Sequence, residues 1–162
     1  MSIKQPKNLK KGFTIIEVVL VLAIAGLIFL MVFVALPALQ RNQRDTQRKQ
    51  DYADLAAAII NSASSNGGKP IGSGSTTVVS PSSSSFVNKD GKDPQGRIYQ
   101  ISASDKPSSV SQISPITGNG NIDVFVYYKA QCVNGQPDAG GNKQFVIYAP
   151  LETGTYCNTF EY

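Results

Sequence analysis

The sequence predicts an α+β fold: a long N-terminal helix, transmembrane in its first half, packed by its second half on a small antiparallel β-sheet. Three observations predict it. From Val18 to Leu36 no residue carries a charge or a strongly polar group, and such a run crosses a hydrocarbon core about 30 Å thick at about 1.5 Å per residue. Tyr52, Leu55, Ala56, Ile59, Ile60 and Ala63 then recur at helical spacing and form one apolar stripe. Four later runs rich in β-branched and aromatic residues, separated by Gly, Asn and Pro, read as strands.

Residues 1–12 are short, polar and basic, the character of the leading region of an export signal. A secretory signal cut after Ala23-Ile24-Ala25 fits poorly. It would leave Gly26–Leu36 as an exposed apolar terminus, and Glu17 would interrupt its apolar region. Residues 13–39 form the apolar helix. Pro37 lies inside it, lacks an N–H and should kink or loosen it. Lys4, Lys7, Lys10 and Lys11 precede the span, and Arg41, Arg44, Arg48 and Lys49 follow it. Counting Lys and Arg therefore leaves the orientation undecided.

Residues 40–65 continue the helix. Arg41 with Asp45, Asp45 with Lys49 and Arg48 with Asp51 are helix-compatible pairs at i+3 or i+4. Asn66-Gly67-Gly68 supplies a stop. Residues 66–96 are a Ser/Gly-rich loop, expected to be irregular. Residues 97–162 are expected to form the antiparallel sheet, with strands at Arg97–Ile101, Asp123–Ala130, Lys143–Ala149 and Thr155–Thr159 joined as a meander. Asn134-Gly135 and Gly140-Gly141 mark one long turn before the third of these. Cys132 and Cys157 are the only cysteines. An even count on an exported domain reads as one disulfide rather than two buried thiols. It would close a loop of about 25 residues and stabilise by about 3–3.5 kcal/mol in the chain-entropy model. The disulfide and the Ser-rich segment favour a C-terminus outside the membrane.

The composition argues against most catalytic and binding classes. The net charge is +4, but four lysines precede the span and the other eleven basic residues match the eleven acidic ones. The body of the chain has no basic bias, so no nucleic-acid partner is expected. There is no histidine, no G-x-S-x-G and no phosphate-binding G-x-x-x-x-G-K-[ST]. Neither cysteine has a histidine to activate it. Asp90 and Asp93 flank Gly91-Lys92 and read as a solvated turn. Asn119, Asn121 and Asp123 alternate oxygen ligands, but the glycine and distal glutamate of a calcium loop are missing. No enzyme activity, metal or cofactor is expected.

Glu17 stands out. A carboxylate within a membrane span costs about 2.5–3.5 kcal/mol on insertion scales and is a functional suspect for that reason. Lys10-Lys11-Gly12, then Phe13-Thr14-Ile15-Ile16-Glu17, then a long apolar helix closely resembles the N-terminus of type IV prepilins. The segment Asp93-Pro94-Gln95-Gly96-Arg97-Ile98-Tyr99 is similar to the Asp-Pro-x-Gly-x-x-Tyr turn of many pilins and pseudopilins. Pro37 departs from the pattern, falling a few residues later than the helix-breaking proline of many members.

The resemblance implies a type IV pilin-like fold and a structural subunit rather than an enzyme. It implies a leader, residues 1–12, cut after Gly12 by a membrane prepilin peptidase, and N-methylation of the new N-terminal Phe13. It implies that Glu17 meets the freed amine across a subunit contact, and that the Cys132–Cys157 bridge closes a C-terminal loop. The implied partners are further copies in a helical homopolymer, an assembly ATPase and a platform protein. The implied location is a single-pass membrane precursor and then an extracellular filament. A pseudopilin of a type II secretion system shares this N-terminus, and a membrane-anchored binding domain that never polymerises is the rival from another class.

Overall fold

A computed structural model describes residues 12–71, 77–79, 91–105, 113, 116 and 120–162. The chain divides into two units between Leu39 and Gln40. The helix α1 spans Ile15–Ser65 and runs through Pro37 without interruption. Proline forfeits one backbone hydrogen bond, a loss a long helix can carry. The helix stops where the glycines predict. Gly67 and Gly68 take φ of 65° and 84°, the left-handed region that side chains disfavour. The Gly68 N–H donates to the Ala63 carbonyl at 2.8 Å, the six-to-one bond of a Schellman end.

Among the described residues of the second unit, seven strands follow: β1 (Thr77–Val79), β2 (Tyr99–Asp105), β3 (Ile122–Tyr128), β4 (Ala130–Val133), β5 (Gln136–Ala139), β6 (Gln144–Pro150) and β7 (Thr155–Glu161). Five form one sheet in the order β1-β2-β3-β6-β7, and β4 and β5 form a separate ribbon. The predicted all-antiparallel meander needs correcting. β2 and β3 are parallel, with Tyr99 opposite Ile122 and Asp105 opposite Tyr128. Parallel neighbours require the chain to return the length of a strand, and residues 106–121 are long enough to do so. The remaining pairs are antiparallel.

Two further corrections concern loops. The Ser/Gly-rich segment is not wholly irregular, because Thr77–Val79 adds an edge strand to β2. The long turn before Phe145 is a two-stranded ribbon. Asn134 and Gly135 take φ of 52° and 77°, the pair of positive values that a two-residue hairpin turn needs. Gly140 has a steric reason: a Cβ there would lie 2.5 Å from the Ala130 carbonyl carbon.

The alternation of strand side chains places two cores on opposite faces of the sheet. Val124, Val126 and Tyr128 of β3 and Phe145, Ile147 and Ala149 of β6 join Tyr52, Leu55, Ala56 and Ile59 of the helix. Tyr127, Val146 and Tyr148 face the other way, with Ala130, Cys132 and Cys157 packed on them. β6 is covered on both faces, which is why Phe145-Val146-Ile147-Tyr148 reads as a continuous apolar run. Each such buried side chain contributes about 1.5–3 kcal/mol.

Candidate functional site

Gly12, Phe13 and Thr14 precede the helix, which begins at Ile15. The Thr14 carbonyl accepts from the N–H groups of Glu17 at 3.2 Å and Val18 at 3.4 Å. Glu17 is the acidic residue of the first turn, where the helix dipole favours negative charge. Phe13 is 85% exposed. Phe13, Glu17, Val18, Val21 and Leu22 line one shallow groove along a single helix face. Every large apolar side chain from Ile15 to Leu36 is exposed, and this is the one described helix long and apolar enough to cross a membrane. Such a surface is unstable in water and must be covered by lipid or by protein. Gly12 and Phe13 thus lie just before the helix and Glu17 in its first turn. Lys10 and Lys11 lie outside the described residues.

The two cysteines form the expected bridge, with Cα atoms 5.9 Å apart. Cys157 lies in β7 opposite Tyr148, and Cys132 lies in the ribbon. The Cys132 N–H also donates to the Thr159 hydroxyl at 2.8 Å. The bridge therefore pins the ribbon over the second core.

No group of three or more potential metal-binding side chains occurs among the described residues. Asp123 is exposed at the second position of β3, while Asn119 and Asp90 lie outside the described residues.

Asp93 corrects the reading of a solvated turn. Its side chain is wholly buried, as is that of Arg48, and the two meet at 3.0 Å. One Asp93 oxygen accepts from the backbone N–H groups of Gln95 and Arg97 at 2.9 and 2.8 Å, closing the turn. The other accepts from the guanidinium groups of Arg48 and Arg97, at 3.0 and 2.7 Å. Tyr99 ends the motif by donating its hydroxyl to Asp51 on the helix at 2.7 Å. The Asp-Pro-x-Gly-x-x-Tyr segment is a device for docking a loop on α1.

Arg48 also donates to Asp45 at 2.7 Å and to Glu152 at 2.8 Å. Glu152 takes two further bonds from Arg44, at 2.8 and 2.6 Å. Asp45 accepts from the Glu152 and Thr153 N–H groups at 2.9 and 3.0 Å, and from the Thr153 hydroxyl at 2.7 Å. Burial opposes the charge on Asp45, yet the hydrogen bonds from Thr153, Glu152 and Arg48 prevail and hold its carboxyl below the usual range. Asp93 is likewise held low, with burial outweighed by Arg97, Arg48 and Gln95. Arg44 above all holds the Glu152 carboxyl down to about 2.

The predicted helix-surface pairs were incomplete. Asp45 and Arg48 pair with each other and with distant turns, and Asp51 accepts from Tyr99. A signal was present: Asp45, Arg48 and Tyr52 continue the phase of the apolar stripe backward. Charged residues in phase with a buried stripe are themselves buried, and then they need partners.

Comparison with known families finds the prokaryotic N-terminal methylation motif at residues 7–33. No curated protein and no solved structure matches the chain. The motif, the carboxylate in the first helical turn and the exposed apolar helix together make this a prepilin-type N-terminus, consistent with the class III signal of type IV pilins.

Proposed function

We propose that the chain is a structural subunit of a type IV pilus filament, held in the membrane by its apolar helix and polymerised through that helix once its leader is removed. The observation that carries this reading is Glu17, one carboxylate in the first turn of a helix whose next stretch, Val18 to Leu36, is uncharged and apolar with every large side chain exposed. A plain anchor would insert better without it. In a filament, apolar helices leave lipid and pack on one another, and a lone carboxylate there would be very costly. A neighbour's processed amine at Phe13 would make that cost much smaller. Subunits then stack in the register where amine meets carboxylate. The methylation motif supports the same reading, because methylation acts on the amine that cleavage at Gly12 would free.

The test is to shear filaments from the cell surface and identify their subunits. Recovery of this chain, beginning at Phe13, supports the proposal. Confinement to the cell envelope together with a secretion defect on deletion would favour the pseudopilus. Confinement as a monomer would favour an anchored binding domain.

A further inference from the structure

Among the described residues, the charged cluster on α1 divides into two sets, each with as many basic as acidic side chains. The inner set is Arg48 and Arg97 against Asp45 and Asp93, with side chains 0–7% exposed. The outer set is Arg44 against Glu152, 26% and 12% exposed. The outer set carries the Leu151–Gly154 turn, which joins β6 to β7. That turn is tied to the helix by the Glu152 carboxylate on Arg44 and Arg48, and by its two N–H groups and the Thr153 hydroxyl on Asp45. Just before it, Tyr52 donates its hydroxyl to the Pro150 carbonyl at 3.0 Å. Leu151 is buried in the core. The turn is therefore anchored on its β6 side, closed at its base by the pairing of Pro150 with Thr155, and tied to the helix at its tip.

We propose that the Leu151–Gly154 turn is a clasp that opens by itself: its tip leaves the helix when Glu152 loses its charge, while the Arg48–Asp93 centre and the sheet stay closed. Charge balance permits this. Taking Glu152 away from Arg48 leaves that guanidinium with two carboxylates, Asp45 and Asp93, and leaves no unpaired charge in the sealed part of the cluster. Opening turns Arg44 toward water, and Asp45 gives up its bonds from the turn while keeping its ion pair with Arg48. Removing Arg48 or Asp93 would instead strand a wholly buried charge. The groups facing Glu152 are Arg44, Asp45 and Arg48 of the helix and, behind them, Asp93 and Arg97 of the docked turn. The depressed ionisation of Glu152 agrees with a clasp that is shut at neutral pH. Parts of a fold with few buried contacts and accessible hydrogen bonds are those that open locally.

The experiment is residue-resolved amide exchange on the full chain in detergent micelles, corrected for intrinsic rates. It compares wild type with Glu152→Gln and Arg44→Met. Both variants should speed exchange at residues 152 and 153 by about tenfold or more. Exchange at Val126, Ile147 and Arg97 should stay at the wild-type rate. Equal acceleration at Ile147 would mean that the cluster is one cooperative unit and would overturn the proposal. So would wild-type exchange at residues 152 and 153 in both variants. Asp93→Asn serves as the contrast, with acceleration spread over Arg97 and the sheet. Because the readout lies within the second unit, its result is independent of whether the chain forms filaments.

Discussion

Arg48 and Asp93 are separated by 45 residues and meet at 3.0 Å with both side chains shut off from water. A paired charge in such a place is not a strong source of stability in itself, because desolvation consumes much of the attraction. Its effect is to fix the 93–97 turn on the helix: one Asp93 oxygen takes Arg48 and Arg97, and the other takes the turn's own N–H groups. Among the described residues no buried side-chain nitrogen or oxygen lacks a partner.

Asp93→Asn keeps the shape and removes the charge. It should destabilise the second unit by about 3–5 kcal/mol, the usual cost of stranding one half of a buried pair. Denaturant unfolding followed by circular dichroism checks this. Arg48→Met combined with Asp93→Leu should cost less than the sum of the two single changes. Additive losses would mean that the two residues act independently.

Acid should weaken the second unit in a defined window. The folded-state ionisation of Glu152 lies at about 2, below its ordinary 4.5. Asp45 and Asp93 are shifted in the same direction. A carboxylate depressed on folding contributes fully above its unfolded value and loses that contribution as pH falls toward the folded one. Stability should therefore be flat from about pH 7 to 5 with respect to these groups and fall between about 4.5 and 2. Glu152→Gln should make the fall shallower. Unfolding free energies across a pH series decide it, and a fall of wild-type steepness in the variant would count against Glu152.

The Cys132–Cys157 bridge should matter to the ribbon more than to the helix. Replacing both cysteines with serine should cost about 2–4 kcal/mol and expose Tyr127 and Tyr148 beneath the ribbon. Membrane insertion should be unchanged, since the span holds neither cysteine. Peptide mapping without reductant should find the linked pair. Free thiols in native protein would contradict the bridge.

Processing is expected between Gly12 and Phe13. Mass spectrometry of the membrane form should find a chain beginning Phe-Thr-Ile with a methylated amine. A bulky residue at position 12 should leave the leader attached. A mature chain starting at Gly26, or one retaining Met1, would refute the assignment.

Glu17→Ala and Glu17→Gln should separate storage from assembly. Both make the span more apolar, so insertion should be unharmed. Both also leave the Phe13 amine without its carboxylate, at a cost of about 3–5 kcal/mol where the contact is dry. The cost recurs with every added subunit, so processed protein should accumulate in the membrane and sheared filaments should be few. Wild-type filament yield from both variants would remove Glu17 from the assembly step.

The sequence by itself determined the features that are local. Helix α1 was legible because hydropathy and the spacing of Tyr52, Leu55 and Ile59 repeat within a few turns. Its end was legible because Gly67 and Gly68 readily take positive φ. The strands β3, β6 and β7 followed from composition, and the N-terminal motif from residues within one short stretch. The tertiary structure alone decided what lies between distant segments. The parallel pairing of β2 with β3 was not visible, because a strand's pattern does not say which way its neighbour runs. The clustering of Asp45, Arg48, Asp93 and Glu152 was not visible either. Their distant partners lie 45 to 108 residues away, and helical phase marks a charged residue for burial without saying which segment will cover it. The physical reason is common to both: backbone propensity and side-chain period act over a few residues, while desolvation acts on whatever the whole chain brings together.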